Sequence, residues 1–165
     1  IKKHILELVD GRAFNLHPSL LPSYRGCSSL TWAMINGEKE TGFTYHYIDE
    51  GCDTGRVILQ GRVKIYPCDN QNNLYQRTMF EALNSFKDAL TLVNEGFLGS
   101  KQNGEASYFS RGAPESGEIN DEWSIDKIKR YIKAMICPPL PYAKYKGVEI
   151  KSFEDYMKVK NENRD

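Results

Sequence analysis

Apolar residues recur along this chain with two periods, and the switches between them divide it into elements. Ile1, Ile5, Leu8 and Val9 have helical spacing with Lys and Glu between them, and Asp10-Gly11 ends the segment. Residues 12–16 read as a short strand that runs into a loop stiffened by Pro18 and Pro22, which fix φ and stop a helix. Ser28 or Ser29 caps a helix over 30–35, with Trp32 packing it on the sheet and Asn36-Gly37 stopping it. The β-branched and aromatic run 41–48 and the alternating run 57–65 predict two strands, joined by a turn at 49–55 and closed by Pro67. Asp69 or Asn70 caps a long helix to about Asn94, closed by Gly96. Its Leu74, Thr78, Phe80, Leu83, Phe86, Leu90 and Val93 fall near one face, which is expected to pack in the core. Residues 98–118 read as loop around an apolar and basic island, Ser107-Tyr108-Phe109-Ser110-Arg111. Ser124 caps a helix whose buried stripe is Ile125, Ile128, Ile132, Met135 and Ile136. Cys137-Pro138-Pro139-Leu140-Pro141-Tyr142-Ala143 is stiff and extended. Residues 144–150 form a strand or hairpin turning at Lys146-Gly147, and 153–158 add a helical turn before a charged end.

Strand, helix, strand, strand, long helix over the first hundred residues predicts an α/β sheet with flanking helices. In such sheets ligands bind beyond the carboxyl ends of the strands, where the loops after Asn15 and after Ile48 are expected to lie. Residues 101–165 add a loop, a helix and a small C-terminal extension. At 165 residues the chain fits one domain with a real core. It starts at Ile1 rather than Met, with no strand and glycine loop in front, so a fragment of a longer product is expected.

Charge and cysteines narrow the function classes. Lys and Arg number 22 against 22 Asp and Glu. Proteins that live on nucleic-acid phosphates usually carry a basic excess, so nucleic acid is not expected as the main partner. Cys27, Cys52, Cys68 and Cys137 form no C-x-x-C and no cluster with metal spacing. The expectation is reduced thiols in a cytoplasmic protein and no metal. No signal peptide is visible, and no apolar run reaches the roughly 20 residues that span a bilayer, so no membrane partner is expected.

The candidate chemistry lies at the end of the first strand. Asn15 and His17 are two residues apart, so the pleat aims both side chains the same way. The amide N–H can bind a developing oxyanion, and the imidazole can take or stabilise a proton.

The whole run Asn15-Leu16-His17-Pro18-Ser19-Leu20-Leu21-Pro22-Ser23-Tyr24-Arg25-Gly26 resembles the signature of the folate-dependent formyltransferases, which move a formyl group from 10-formyltetrahydrofolate to an amine. Asp53-Thr54-Gly55 is similar to the place where that family carries a catalytic aspartate, and His46 matches a further family position. The resemblance implies a formyltransferase-type Rossmann-like sheet of which this chain is the back half. Residues 1–100 would be the C-terminal part of the catalytic domain and 101–165 the extension packed on it. It implies catalytic roles for Asn15, His17 and Asp53, a supporting one for His46, and a pterin-wrapping loop of Tyr47, Ile48, Asp49, Glu50, Gly51 and Cys52. The co-substrate would be 10-formyltetrahydrofolate, without a metal.

The chemistry agrees with that assignment. An amine attacks a carbonyl, so an oxyanion must be held, by Asn15 with protonated His17, and the amine must shed a proton, to His17 or to Asp53 through water. Asp53 near His17 is expected to raise the imidazole pKa and fix its orientation.

Pro114-Glu115-Ser116-Gly117-Glu118-Ile119, Ile132-Lys133-Ala134 and Pro138-Pro139-Leu140-Pro141-Tyr142-Ala143 resemble the methionyl-tRNA and nucleotide-sugar branch, with Lys133 where Arg is usual. That tail argues against a glycinamide ribonucleotide acceptor. The balanced charge and the lack of a full extra C-terminal domain favour a nucleotide-linked amino sugar, such as a dTDP- or UDP-linked 4-amino sugar, over methionyl-tRNA, the alternative acceptor. Hydrolysis of formyl-folate uses a similar triad, and a non-catalytic binding module is the rival of a different class. Tyr24, Arg25, Arg111 and Tyr142 are the candidate substrate-facing groups, and a homodimer is the assembly considered.

Overall fold

A computed structural model describes residues 3–10 and 12–162. The order is α1 (Lys3–Leu8), β1 (Phe14–His17), β2 (Arg25–Gly26), α2 (Ser29–Asn36), β3 (Glu40–Tyr47), β4 (Val57–Lys64), α3 (Gln71–Asn94), β5 (Tyr108–Phe109), a 3-10 turn at Pro114–Gly117, α4 (Ile125–Ala134), β6 (Ala143–Tyr145), β7 (Val148–Ile150) and α5 (Phe153–Glu162). Ile1 and Gly11, assigned from sequence to the first helix and its stop, lie outside the described residues, as do the last three residues of the charged end.

β3 is the middle of a three-stranded sheet, β1-β3-β4. Its aromatic and β-branched run is buried from Thr41 to His46, so both of its faces are covered. α3 packs on β3 and β4, and the Tyr45 hydroxyl donates to the Ala82 carbonyl at 2.8 Å. The positions of α3 that are fully buried are Leu74, Thr78, Ala82 and Ala89. Small side chains at 82 and 89 let the helix sit close to the sheet. The large residues expected in the core lie on its flank instead: Phe80 and Leu83 are 62% and 70% exposed, and Phe86 and Leu90 are exposed as well. Side-chain size outweighed the alanine row in the sequence pattern, and the alanine row is what meets the sheet.

Two of the expected caps form, with the Asn70 side chain accepting from Asn73 N–H and that of Ser124 from Lys127 N–H. The cap expected at Ser28 or Ser29 does not, since Ser28 starts α2 at φ 55° with no side-chain cap bond and the Ser29 hydroxyl donates to the Pro18 carbonyl. α4 buries Ile128, Tyr131 and Ile132 against α2, while Ile125 is exposed. The loop at 98–118 holds a strand that the sequence pattern missed: β5 pairs in parallel with β2. The turn at Lys146-Gly147 closes an antiparallel β6-β7 hairpin, and α5 runs four residues further than expected.

β1 and β3 are antiparallel, with Asn15 opposite His46 and His17 opposite Thr44. The loops after β1 and after β3 therefore leave opposite ends of the strand pair rather than one shared end. They meet because 49–55 folds back over β3, and the Tyr47 N–H donates to the Arg56 carbonyl.

The loop after β1 is locked by one side chain. The fully buried Thr44 hydroxyl donates to the Ser19 carbonyl (2.6 Å) and accepts from the Leu21 N–H (3.2 Å) and the Gln60 side-chain amide (2.9 Å). Valine has the same shape and none of these bonds. Thr44→Val should cost about 3 kcal/mol, because it leaves buried partners unsatisfied. Chemical denaturation would show this, and a loss under about 1 kcal/mol would mean that the loop is held elsewhere.

Candidate active site

Four side chains from β1, β3 and the following loop form one contact chain. Asn15 Nδ2 lies 3.4 Å from His46 Nε2. His46 Nε2 lies 3.5 Å from Asp53 Oδ1, and His17 Nδ1 lies 3.5 Å from Asp53 Oδ2. The Gly26 N–H donates to Asp53 Oδ2 at 2.8 Å, so β2 fixes the carboxylate from behind. His17 and His46 are buried, and Asp53 keeps 12% of its side chain exposed.

The partners settle where the imidazole protons sit. His17 Nε2 faces the Tyr24 carbonyl at 2.7 Å, which only accepts, so Nε2 carries hydrogen and Nδ1 faces Asp53. His46 Nδ1 faces the Tyr47 carbonyl at 2.9 Å and carries hydrogen there. His46 Nε2 is then the acceptor for the Asn15 amide.

Burial pulls the His17 imidazole below its usual 6.5 and outweighs the Tyr24 carbonyl and the Asp53 carboxylate, which push it up. Asp53 raises the imidazole pKa as expected, but desolvation is the larger effect and sets the net direction. Burial pushes Asp53 up, yet His46 and His17 in their protonated forms and the Gly26 N–H hold it at about 2. The resting pair is therefore a carboxylate beside a neutral imidazole. Asp53 has φ of 56°, in the left-handed region, so the turn aims its side chain back at β1 and β3.

Asn15, His46 and Asp53 open, together with Ile48, Asp49, Gly51 and Cys52, onto a cavity of about 300 Å³. Asp49 closes the loop on itself, accepting from the Gly51 N–H and the Thr54 hydroxyl. Tyr47 and Glu50 do not line the cavity: the Tyr47 hydroxyl donates to the Phe97 carbonyl, and Glu50 is exposed.

Of the four candidate substrate-facing residues, two are occupied. Tyr24 donates its hydroxyl to Glu38 and stacks on Phe109, which also stacks on Trp32. Trp32 thus stacks on β5 and also packs against the hydrophobic core. Arg25 donates to Gln102 Oε1. Arg111 and Tyr142 line a separate cleft.

Sequence reasoning missed Gln102. Its amide donates to the Asp53 and Gly55 carbonyls, both at 2.8 Å, and so clamps the aspartate's loop. A single Gln in a Gly, Ser and Asn loop gave no signal for this. Among the described residues no group of three or more His, Cys, Asp or Glu could hold a metal, and no helix is long and apolar enough to cross a membrane.

The formyl transferase family pattern matches residues 1–90. GDP-perosamine N-formyltransferase of Brucella melitensis biotype 1 is 42% identical over 151 residues, covering 87% of this chain and 58% of that protein. Methionyl-tRNA formyltransferase of Thermodesulfovibrio yellowstonii is 35% identical, covering 92% of this chain and 49% of that one. The structure of the N-formyltransferase from Helicobacter canadensis, in complex with folinic acid and dTDP-3-aminofucose, superposes with a TM-score of 0.75 at 29% identity, over 86% of this chain and 54% of that one. The chain spans about half the length of the curated relatives it matches.

Proposed function

The chain belongs to the formyl transferase family, and we propose that its full-length protein transfers a formyl group from 10-formyltetrahydrofolate to the amino group of a nucleotide-linked sugar. The observation that carries the reading is the placement of the Asn15 amide and the Asp53 carboxylate on one cavity, joined through His46. The sugar acceptor draws support from the relative at 42% identity and from the balanced charge. In this reading residues 1–100 are the C-terminal part of the catalytic domain and 101–165 the extension. The enzyme is cytoplasmic, where its four unpaired cysteines stay reduced. A homodimer would appear in light scattering as twice the monomer mass.

The residues divide the work. One N–H of Asn15 is spent on His46 Nε2, which fixes the amide's orientation, and the other donates to the formyl oxygen as it gains charge. A C–N bond forms between the acceptor nitrogen and the formyl carbon, and the bond from that carbon to the folate nitrogen breaks. Asp53 accepts the proton that the amine sheds, directly or through water, and the proton returns to the departing nitrogen. His17 Nδ1 faces the carboxylate, where a second proton on the imidazole is best stabilised. The cavity's loop backbone at Ile48–Asp53 offers the edge for the pterin.

A transfer assay on the full-length protein tests this, with 10-formyltetrahydrofolate and GDP-perosamine, dTDP- and UDP-linked amino sugars, and unformylated methionyl-tRNA. Transfer to a sugar is expected, reduced at least about a hundredfold in His17→Ala. Transfer to methionyl-tRNA alone, or release of formate without an acceptor, would overturn the acceptor assignment.

A further inference from the structure

β2 bonds in two directions. The Arg25 and Cys27 N–H groups donate to the Ser107 and Phe109 carbonyls, both at 2.9 Å, and so tie the strand to the β5 side. The Gly26 N–H between them faces the other way, and it is the one that holds Asp53 Oδ2. Glycine is required there, because φ is +89° and a Cβ would stand 2.2 Å from the Phe109 carbonyl oxygen.

The same short strand reaches the backbone of the aspartate's loop through Gln102. Arg25 donates twice to Gln102 Oε1, from Nε at 3.2 Å and Nη2 at 2.6 Å. The amide nitrogen is left for the loop, and its two hydrogens serve the Asp53 and Gly55 carbonyls. Both ends of the amide are therefore specified. Three further contacts continue the line. The Tyr108 hydroxyl donates to the Cys52 carbonyl at 3.2 Å, Arg56 Nε donates to the Leu98 and Gly99 carbonyls, and Val57 and Ser100 exchange two backbone bonds at 2.8 Å. Residues 98–108 thus brace residues 52–57, from beyond the stretch 1–90 that the family pattern matches.

The loop needs an outside hold. Asp53 sits in the left-handed region at φ 56°, and the Asp49 bonds to Gly51 and Thr54 close the loop only on itself. One carboxylate oxygen faces each imidazole at 3.5 Å, so a pivot about the single Gly26 bond would separate Oδ1 from His46. A second anchor on the main chain prevents that pivot.

We propose that Gln102, oriented by Arg25, is a positioning residue for formyl transfer: it holds the backbone of Asp53 while Gly26 holds the carboxylate, so that β2 sets both ends of the proton acceptor. The assignment rests on the role given to Asp53 above.

Kinetics of the full-length protein test it, with 10-formyltetrahydrofolate and the sugar nucleotide that the wild type accepts. Gln102→Ala is expected to lower kcat about thirtyfold and to leave both KM values within about twofold, since the amide is spent on protein groups. Gln102→Glu keeps the shape and the Arg25 contact but brings no N–H to the two carbonyls, so it should lose at least as much. A residue that only fills space would be rescued by it. The double variant Arg25→Ala/Gln102→Ala should fall no more than about twofold below Gln102→Ala, because the two side chains act as one unit, and losses that multiply would remove Arg25 from the assignment. Hydrogen exchange at the Gly26 amide reads the same placement without turnover. It should speed up at least about tenfold in Gln102→Ala, while the β3 amides stay protected and report an intact fold. A kcat within about threefold of wild type in both Gln102 variants, or unchanged Gly26 exchange, would remove the positioning role and leave the transfer activity standing. A wild type that transfers no formyl group to any acceptor would remove the reaction and with it the catalytic meaning of the brace, even if Gly26 exchange still showed Gln102 holding the loop.

Discussion

Asp53→Asn is expected to lower formyl transfer by about a thousandfold while the protein stays folded. Asparagine is the substitution that best isolates the charge. It tolerates the left-handed backbone at φ 56°, and its side-chain oxygen can still accept from Gly26. What it loses is the site for the amine's proton and the anion that supports a charged His17, whose pKa burial already depresses. Stability should change in a defined window. The carboxylate is held at about 2 against a usual 3.8, so it contributes stability that is fully present above about pH 4 and lost as pH falls toward 2. With little of the side chain exposed, that contribution is about 2 kcal/mol. The variant should therefore be somewhat less stable at pH 7 and lose less stability than wild type between pH 4 and 2. Activity within tenfold of wild type would sink the proton role. Unfolding at pH 7 would make the residue structural first.

Asn15 and His17 stand out by residue type, an amide and an imidazole two apart on one strand pleat, whereas His46 and Asp53 are singled out only through the resemblance to the formyltransferase signature. The structure brings all four into one contact chain. What the sequence hid depends on contacts distant in the chain or on burial. Thr44 is an ordinary strand residue until its hydroxyl is seen to hold Ser19, Leu21 and Gln60. Gln102 acts on carbonyls 49 and 47 residues away, and β5 exists only because it finds β2. The net shift of His17 opposes its nearest charge because burial, which spacing does not encode, is the larger effect. On α3 the expected face held at Leu74 and Thr78 but not at Phe80, Leu83, Phe86 and Leu90, since alanines that carry little hydrophobic weight are what allow the helix to touch the sheet. The antiparallel pairing of β1 with β3 also reverses the simple rule for where the two loops lie. Their meeting is imposed by the fold-back at residues 49–55, and that fold-back rests on a glycine.

Gly55→Ala is expected to silence the site through the backbone alone. A Cβ built on Gly55 would stand 1.7 Å from the Tyr47 carbonyl oxygen, 2.7 Å from its carbon and 3.5 Å from His46 Nδ1. The neighbour is main chain, so it cannot swing aside as a flexible side chain would. Either the loop or the end of β3 must move. The same Tyr47 carbonyl accepts from His46 Nδ1, so moving it frees His46 to turn and releases the Asn15 amide that His46 orients. Moving the loop instead draws Asp53 from Gly26 and breaks the Gln102 clamp on the Asp53 and Gly55 carbonyls. Both routes misplace reacting groups by an ångström or more, which is enough to lose about a hundredfold in rate. The overpacking cost should be about 1–3 kcal/mol, so the protein remains folded. Gly96→Ala is the control: its φ of 81° carries backbone strain, but a Cβ there meets nothing within 4 Å. It should cost about 1 kcal/mol and leave kcat unchanged. Steady-state kinetics and thermal melts on the two variants separate the cases. If Gly55→Ala kept kcat within a few-fold of wild type, the loop must be free to slide, and the placement of Asp53 would be set by substrate rather than by the close approach of Gly55 to β3.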